Sequence, residues 1–195
     1  MQRAHDAGVC PKVLHLDTES DLWQARSSLV VTDTSGADIA MPDEVRVYTV
    51  SGVSHAPFRP LTKPVMQLPG NRLGYGAFMR ALLVALFEWV ERGIAPPDSR
   101  FPSRAAGTLV PLAEARATFP RPSQVDFPNV LNELRLRDHS VEPPIESTAY
   151  PVFVQSTDAD GNALGGIRHP LLTAPLATPA GWDAPPGLTE FGSTK

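Results

Sequence analysis

Three carboxylates, Asp17, Glu19 and Asp21, crowd one acidic turn, and a histidine, His55, ends a later segment, Ser51-Gly-Val-Ser-His55. A carboxylate beside an imidazole fixes its tautomer and stabilises the protonated ring. The imidazole then serves as general base to a weak nucleophile such as a hydroxyl. The nucleophile itself is harder to find. Gly52-Val-Ser54-His-Ala56 differs from G-x-S-x-G only in its last residue, but such an elbow must turn straight into a helix. Pro57, Pro60 and Pro64 follow instead, each costing about 3 kcal/mol inside a helix, so Ser54 reads as a loop hydroxyl. Cys10, the one cysteine, precedes Pro11 at the mouth of a strand and reads as a small apolar plug.

The elements that must bring acid and base together are strand, short helix and strand. Lys12 to Leu16 is apolar at nearly every position, as in a strand covered on both faces within a parallel sheet and away from its edge. Thr18 followed three residues later by Asp21 fits a capping box that opens a helix bearing Leu22, Trp23, Leu29 and Val30. On position alone, capping is the favoured role for Asp21. Asp33-Thr-Ser-Gly36-Ala-Asp38 is a turn cluster, and Val45 to Val50 is a β-branched strand. A helical crossover between two strands predicts parallel pairing. Residues just beyond the carboxyl ends of such strands can meet, which puts the acidic turn near His55.

The rest of the chain is read as support. A helix from about Tyr75 to Arg92 ends at Gly93, with Phe78, Leu82, Leu86, Trp89 and Val90, joined by Met79 and Leu83, forming a wide apolar face suited to lie on a sheet. Pro96 to Pro144 predicts a long, loop-dominated excursion with one short helical piece, Val130 to Arg137. Tyr150 to Gln155 and Ala163 to Arg168 read as a hairpin closed by Asp158-Ala-Asp-Gly-Asn162. That turn resembles a calcium loop, but its glycine comes early and the final glutamate is missing. Calcium or zinc binding is therefore the weakest reading, no metal site is assigned, and His139 and His169 receive no role.

Composition excludes several classes. With 195 residues, 42% hydrophobic and 19% charged, the chain is an ordinary globular one, and its 21 prolines favour loops in the second half. A net charge of -4 leaves no basic footprint, which argues against nucleic acid as a partner. Met1 to Asp6 lacks the apolar core of a signal peptide and Ala81 to Phe87 is too short to span a bilayer, so the chain as written reads as cytoplasmic. No Gly-rich phosphate loop follows a strand, and no cofactor is implied.

Several segments together resemble the C-terminal portion of a family of α/β-hydrolase-domain proteins. They are Gly8-Val-Cys-Pro-Lys-Val13, Ser20-Asp-Leu-Trp23, Ser28-Leu-Val-Val-Thr-Asp33, Val47-Tyr-Thr-Val-Ser-Gly-Val-Ser-His55, Leu82-Leu-Val-Ala-Leu-Phe-Glu-Trp-Val90, Gly107-Thr-Leu-Val-Pro111, Tyr150-Pro-Val-Phe-Val154 and Asp158-Ala-Asp-Gly-Asn162, with Gly166-Ile-Arg168 and Gly181-Trp182 beyond. The resemblance implies an α/β fold and a Ser-acid-His hydrolase whose nucleophile, acid and base follow in that order along the chain. Asp21 stands where the family has its acid and His55 where it has its histidine. Leu22 replaces a usual aromatic, Val53-Ser54 a Thr-Gln pair, and Ala56 a common glycine, which leaves Asp17 and Glu19 open as alternatives for the acid.

On this resemblance the family's nucleophile would lie upstream of Met1, so the chain is expected to be the rear of the fold: parallel strands with crossover helices, a Pro-rich extension and a small β-hairpin. Residues 1–95 would hold the sheet with the acid and histidine loops, and residues 96–195 the extension packed on them. Two strands without flanking neighbours would leave an exposed edge. Esterase-like activity on a small-molecule ester or amide is expected once an N-terminal half supplies the nucleophile. The rival expectation is a non-catalytic structural or interaction segment.

Overall fold

The computed structural model describes residues 1–55, 73–120, 127, 128, 131, 134–174, 178 and 179. A short helix α1 (Gln2–Asp6) leads into β1 (Val13–Thr18), α2 (Glu19–Gln24), a 3-10 turn over Ser27–Val30, and β2 (Val45–Ser51). Then come α3 (Gly76–Arg92), β3 (Leu109–Pro111), α4 (Leu112–Thr118), β4 (Arg135–Asp138), β5 (Ile145–Ala149), β6 (Phe153–Gln155), β7 (Ile167–Arg168) and α5 (Pro170–Thr173). The chain is an α/β protein. Its principal sheet has the order β1-β2-β7, parallel throughout.

β1 and β2 pair in register from Val13 opposite Val45 to Thr18 opposite Val50, as the helical crossover predicts. Both strands therefore end at the same level, and the segments that follow them start side by side. β2 is covered on both edges, by β1 on one and on the other by β7 and by Arg100, whose N–H donates to Val47 O while its C=O accepts from Thr49 N–H, each at 2.9 Å. β1 was expected away from the edge, yet among the described residues it pairs on one side only, and its apolar Val13, Leu14 and Leu16 are half-buried. Apolar composition identifies a strand but cannot supply the neighbour that would cover it.

α2 is where the core divides. Leu22 enters a cluster with Val31, Val45, Val47, Leu109 and Phe153, against which Cys10 also packs, in keeping with its reading as a plug. Trp23 enters a second cluster with Val110, Ala115, Phe119, Leu131 and Val154. Consecutive residues on a helix point about 100° apart, so two clusters grip α2 from two directions and fix its rotation. The helix ends early. Arg26 takes the left-handed conformation, and Leu29 and Val30 fall in the 3-10 turn instead of continuing α2.

Two sequence expectations are corrected in the second half. The one helical piece expected between Pro96 and Pro144 was Val130 to Arg137, but the helix of that stretch among the described residues is α4, and Arg135 to Arg137 lie in β4, which forms an antiparallel hairpin with β5; Val130, Asn132 and Glu133 lie outside the described residues. The 150–168 hairpin does not form beyond one bridge, Thr157 to Ala163. β6 turns to pair antiparallel with β3, and β7 joins β2 in the principal sheet. Gly166 permits that second pairing: with φ +65°, its missing Cβ would stand 2.5 Å from the Thr49 carbonyl oxygen. The contact is with a strand more than a hundred residues earlier, which local hairpin signals do not carry.

α3 forms where expected and is closed by Gly93 at φ 70°. Its burial departs from expectation. Trp89 alone is fully buried, its ring receiving the Lys12 ammonium at 4.8 Å and the Arg46 guanidinium at 5.2 Å from the centroid. Met79, Leu83, Val84, Phe87 and Val90 remain exposed among the described residues. None of the helices among these residues is long and apolar enough to cross a membrane.

Candidate active site

The candidate site sits where β1 and β2 end together. Asp21, in the first turn of α2, places Oδ1 2.8 Å from His55 Nδ1. Its other oxygen accepts the Thr18 N–H and the Thr18 hydroxyl, each at 2.8 Å. Capping and imidazole pairing, competing readings on the sequence alone, are thus both present. Each uses a different carboxylate oxygen, since an ionised carboxyl has lone pairs enough for several donors.

The three acidic candidates are sorted by geometry. Asp17 faces inward on β1, its Oδ2 2.9 Å from His15 Nε2, in a polar contact whose angle departs from that of an ideal hydrogen bond. That contact with Asp17 raises the His15 pKa above its ordinary value of 6.5, with burial opposing. Glu19 is buried, and its Oε2 accepts the Gly52 N–H at 2.7 Å, tying the start of α2 to the turn after β2. Only Asp21 meets His55. Gly52, with φ +80°, has the Leu172 side chain where a Cβ would stand, so the turn that carries the histidine fits closely against α5.

Exposure within the pair is unequal. The Asp21 side chain is 14% exposed and that of His55 70%. A carboxylate shielded from water binds an imidazole more strongly than an exposed one does, while the far edge of the ring remains open to a reactant. Among the described residues the imidazole bonds Asp21 alone, which leaves Nε2 as the nitrogen available for proton transfer. Ser54 is 1% exposed, and burial argues against its hydroxyl as a nucleophile toward a substrate in solution.

Two residues the sequence reading passed over complete the site. Ser20 Oγ accepts the His55 N–H at 2.6 Å, and the Tyr75 hydroxyl donates to the His55 carbonyl at 3.0 Å. Neither carries a motif that could have revealed it, because both act on backbone atoms distant in sequence. Asp158, considered for calcium, accepts the N–H groups of Asp160 and Asn162 on one oxygen and pairs with Arg168 through the other. It works as a turn former. His169 accepts the Leu171 N–H at the start of α5.

Comparison with known proteins gives one positive result. A family model described as an alpha/beta hydrolase domain matches residues 1–195. No curated protein and no solved structure gives a significant match.

Proposed function

The chain belongs to the α/β-hydrolase domain family, and from that premise we propose that Asp21 and His55 are the acid and base of a Ser-acid-His hydrolase. The observation that carries the reading is the 2.8 Å contact between Asp21 Oδ1 and His55 Nδ1 at the adjacent ends of two parallel strands. The serine comes from a polypeptide segment upstream of this chain, and the reaction is acyl transfer from an ester or amide to water. His55 Nε2 takes the serine proton as the hydroxyl attacks the carbonyl carbon, then returns it to the leaving group. Asp21 holds the proton on Nδ1 and stabilises the imidazolium between the two steps. A water deprotonated by the same nitrogen then attacks the acyl carbon, and the proton passes from Nε2 to the departing serine oxygen, releasing the acid and restoring the hydroxyl.

The rival reading is a non-catalytic segment. It is favoured by one observation: among the described residues, no hydroxyl or thiol bonds the His55 ring. A serine-reactive fluorophosphonate and an activated ester separate the two, applied to the chain alone and to the chain with the upstream-encoded polypeptide. Labelling and turnover are expected only in the second condition, with His55→Ala and Asp21→Asn each lowering kcat by roughly 10³–10⁴-fold. Silence in both conditions would sink the hydrolase reading. Labelling of the isolated chain that disappears in Ser54→Ala would instead make Ser54 the nucleophile.

A further inference from the structure

Packing does little to fix the His55 ring, which is largely in solvent, so hydrogen bonds must hold it. Its main chain is gripped at both polar atoms by side chains from other elements: the N–H by Ser20 of α2, and the C=O by Tyr75, which precedes α3. Ser20 is fully buried and Thr18 nearly so. The order of protons in this cluster follows from counting donors. The single Thr18 hydroxyl proton goes to Asp21 Oδ2, so in the 3.1 Å contact between Thr18 Oγ1 and Ser20 Oγ the serine donates. Its oxygen is then the acceptor for His55 N–H. The bonds close into a ring that starts at the His55 main chain, passes through Ser20, Thr18 and Asp21, and returns to the His55 imidazole.

We infer that Ser20 and Tyr75 are positioning residues that set the His55 imidazole against Asp21, an inference that rests on reading this pair as the working acid and base. Along the arm from His55 N–H through the two hydroxyls the donors run in one sense and end on Asp21 Oδ2, while the imidazole Nδ1–H reaches the other oxygen of the same carboxylate. Each bond therefore adds partial positive charge toward Asp21 and reinforces the next. Removing the Ser20 hydroxyl breaks the ring at its buried centre and leaves His55 N–H without its acceptor. Removing the Tyr75 hydroxyl frees the other side of the same residue at a half-buried position.

The test reads the imidazole directly in the chain itself. Ring nitrogen NMR at about pH 9, where an ordinary imidazole is neutral, reports which nitrogen carries the proton. In the unaltered chain His55 is expected as the Nδ1–H tautomer, and Asp21→Asn is the control in which that preference disappears. Ser20→Ala is expected to lower the Nδ1–H fraction by about two-fold or more. Ser20→Thr, which keeps the hydroxyl, restores it, and Tyr75→Phe gives a smaller fall in the same direction with an unchanged melting temperature. If the unaltered chain lacks the Nδ1–H tautomer, the Asp21–His55 pairing itself fails. If it has that tautomer and folded Ser20→Ala and Tyr75→Phe both keep it in full, the pairing stands and the positioning inference is overturned. Should Ser20→Ala not fold, Tyr75→Phe decides alone.

Discussion

α2 and α3 invert the usual relation between a helix's length and its share of the core. α2 has six residues, too few to be stable alone, yet Glu19, Ser20, Leu22 and Trp23 are all buried. α3 has 17 residues with a broad apolar face, and buries only Trp89. The difference lies in what surrounds each helix. α2 is enclosed by β1, the 3-10 turn, β6 and two hydrophobic clusters, whereas α3 packs on β1, which is itself paired on one side among the described residues. Amphipathicity states which face can be buried, and neighbours decide whether it is. The candidate site belongs with the enclosed helix, where restrained rotation keeps a carboxylate aimed at one partner.

The largest test of this contrast is truncation. Trp23→Ala should cost about 3–5 kcal/mol and Leu22→Ala about 2–5 kcal/mol in urea unfolding. Phe87→Ala, at a residue 65% exposed, should stay within about 0.5 kcal/mol. Equal costs in the two helices would remove the distinction. A second comparison uses two glycines with nearly the same φ. Gly166→Ala meets the Thr49 carbonyl and should cost about 2 kcal/mol or more, with loss of β7 protection in hydrogen exchange. Gly93→Ala, with φ +70° and open space around it, should cost only about 1 kcal/mol.

Smaller effects sharpen the site. Asp21→Asn keeps the side chain's shape but loses the charge, and should lower stability by about 1 kcal/mol through the weakened cap on α2. Glu91→Gln, the matching loss of charge at an exposed position of α3, should be neutral on the unfolding curve. His15 gives the smallest effect and a pH signature. Its pKa is raised in the folded chain by Asp17, so the contact stabilises the fold below about pH 6.5 and that gain is lost as pH rises through the higher folded value. The unaltered chain should therefore exceed His15→Gln in stability by more at about pH 5.5 than at about pH 8.5. With the side chain 39% exposed and solvent screening included, the difference stays below about 1 kcal/mol. An advantage that grows with pH would contradict the sign of the shift.

Much of the arrangement was legible in local patterns, because local patterns report local physics. Apolar and β-branched runs identified β1 and β2, the crossover between them predicted their parallel pairing, and the glycine stop located the end of α3. Thr18 and Asp21 announced the cap. The β6 and β7 pairings were not legible, since each strand satisfies its backbone with a partner distant in sequence and not with the neighbour across its turn. The overhanging face of α3 was equally hidden, for periodicity carries no information on what lies opposite.

The residue types alone determined that an acid and an imidazole would follow successive parallel strands, because strand composition and crossover length restrict the topology to few choices. They left three carboxylates as candidates. The tertiary structure places them differently: rotating α2 between two hydrophobic clusters turns Asp21 toward His55 and Glu19 toward the Gly52 amide, while Asp17 stays on β1 beside His15. That rotation is set by the summed contacts of Leu22 and Trp23 with residues from most of the chain, a quantity that no short stretch of sequence contains.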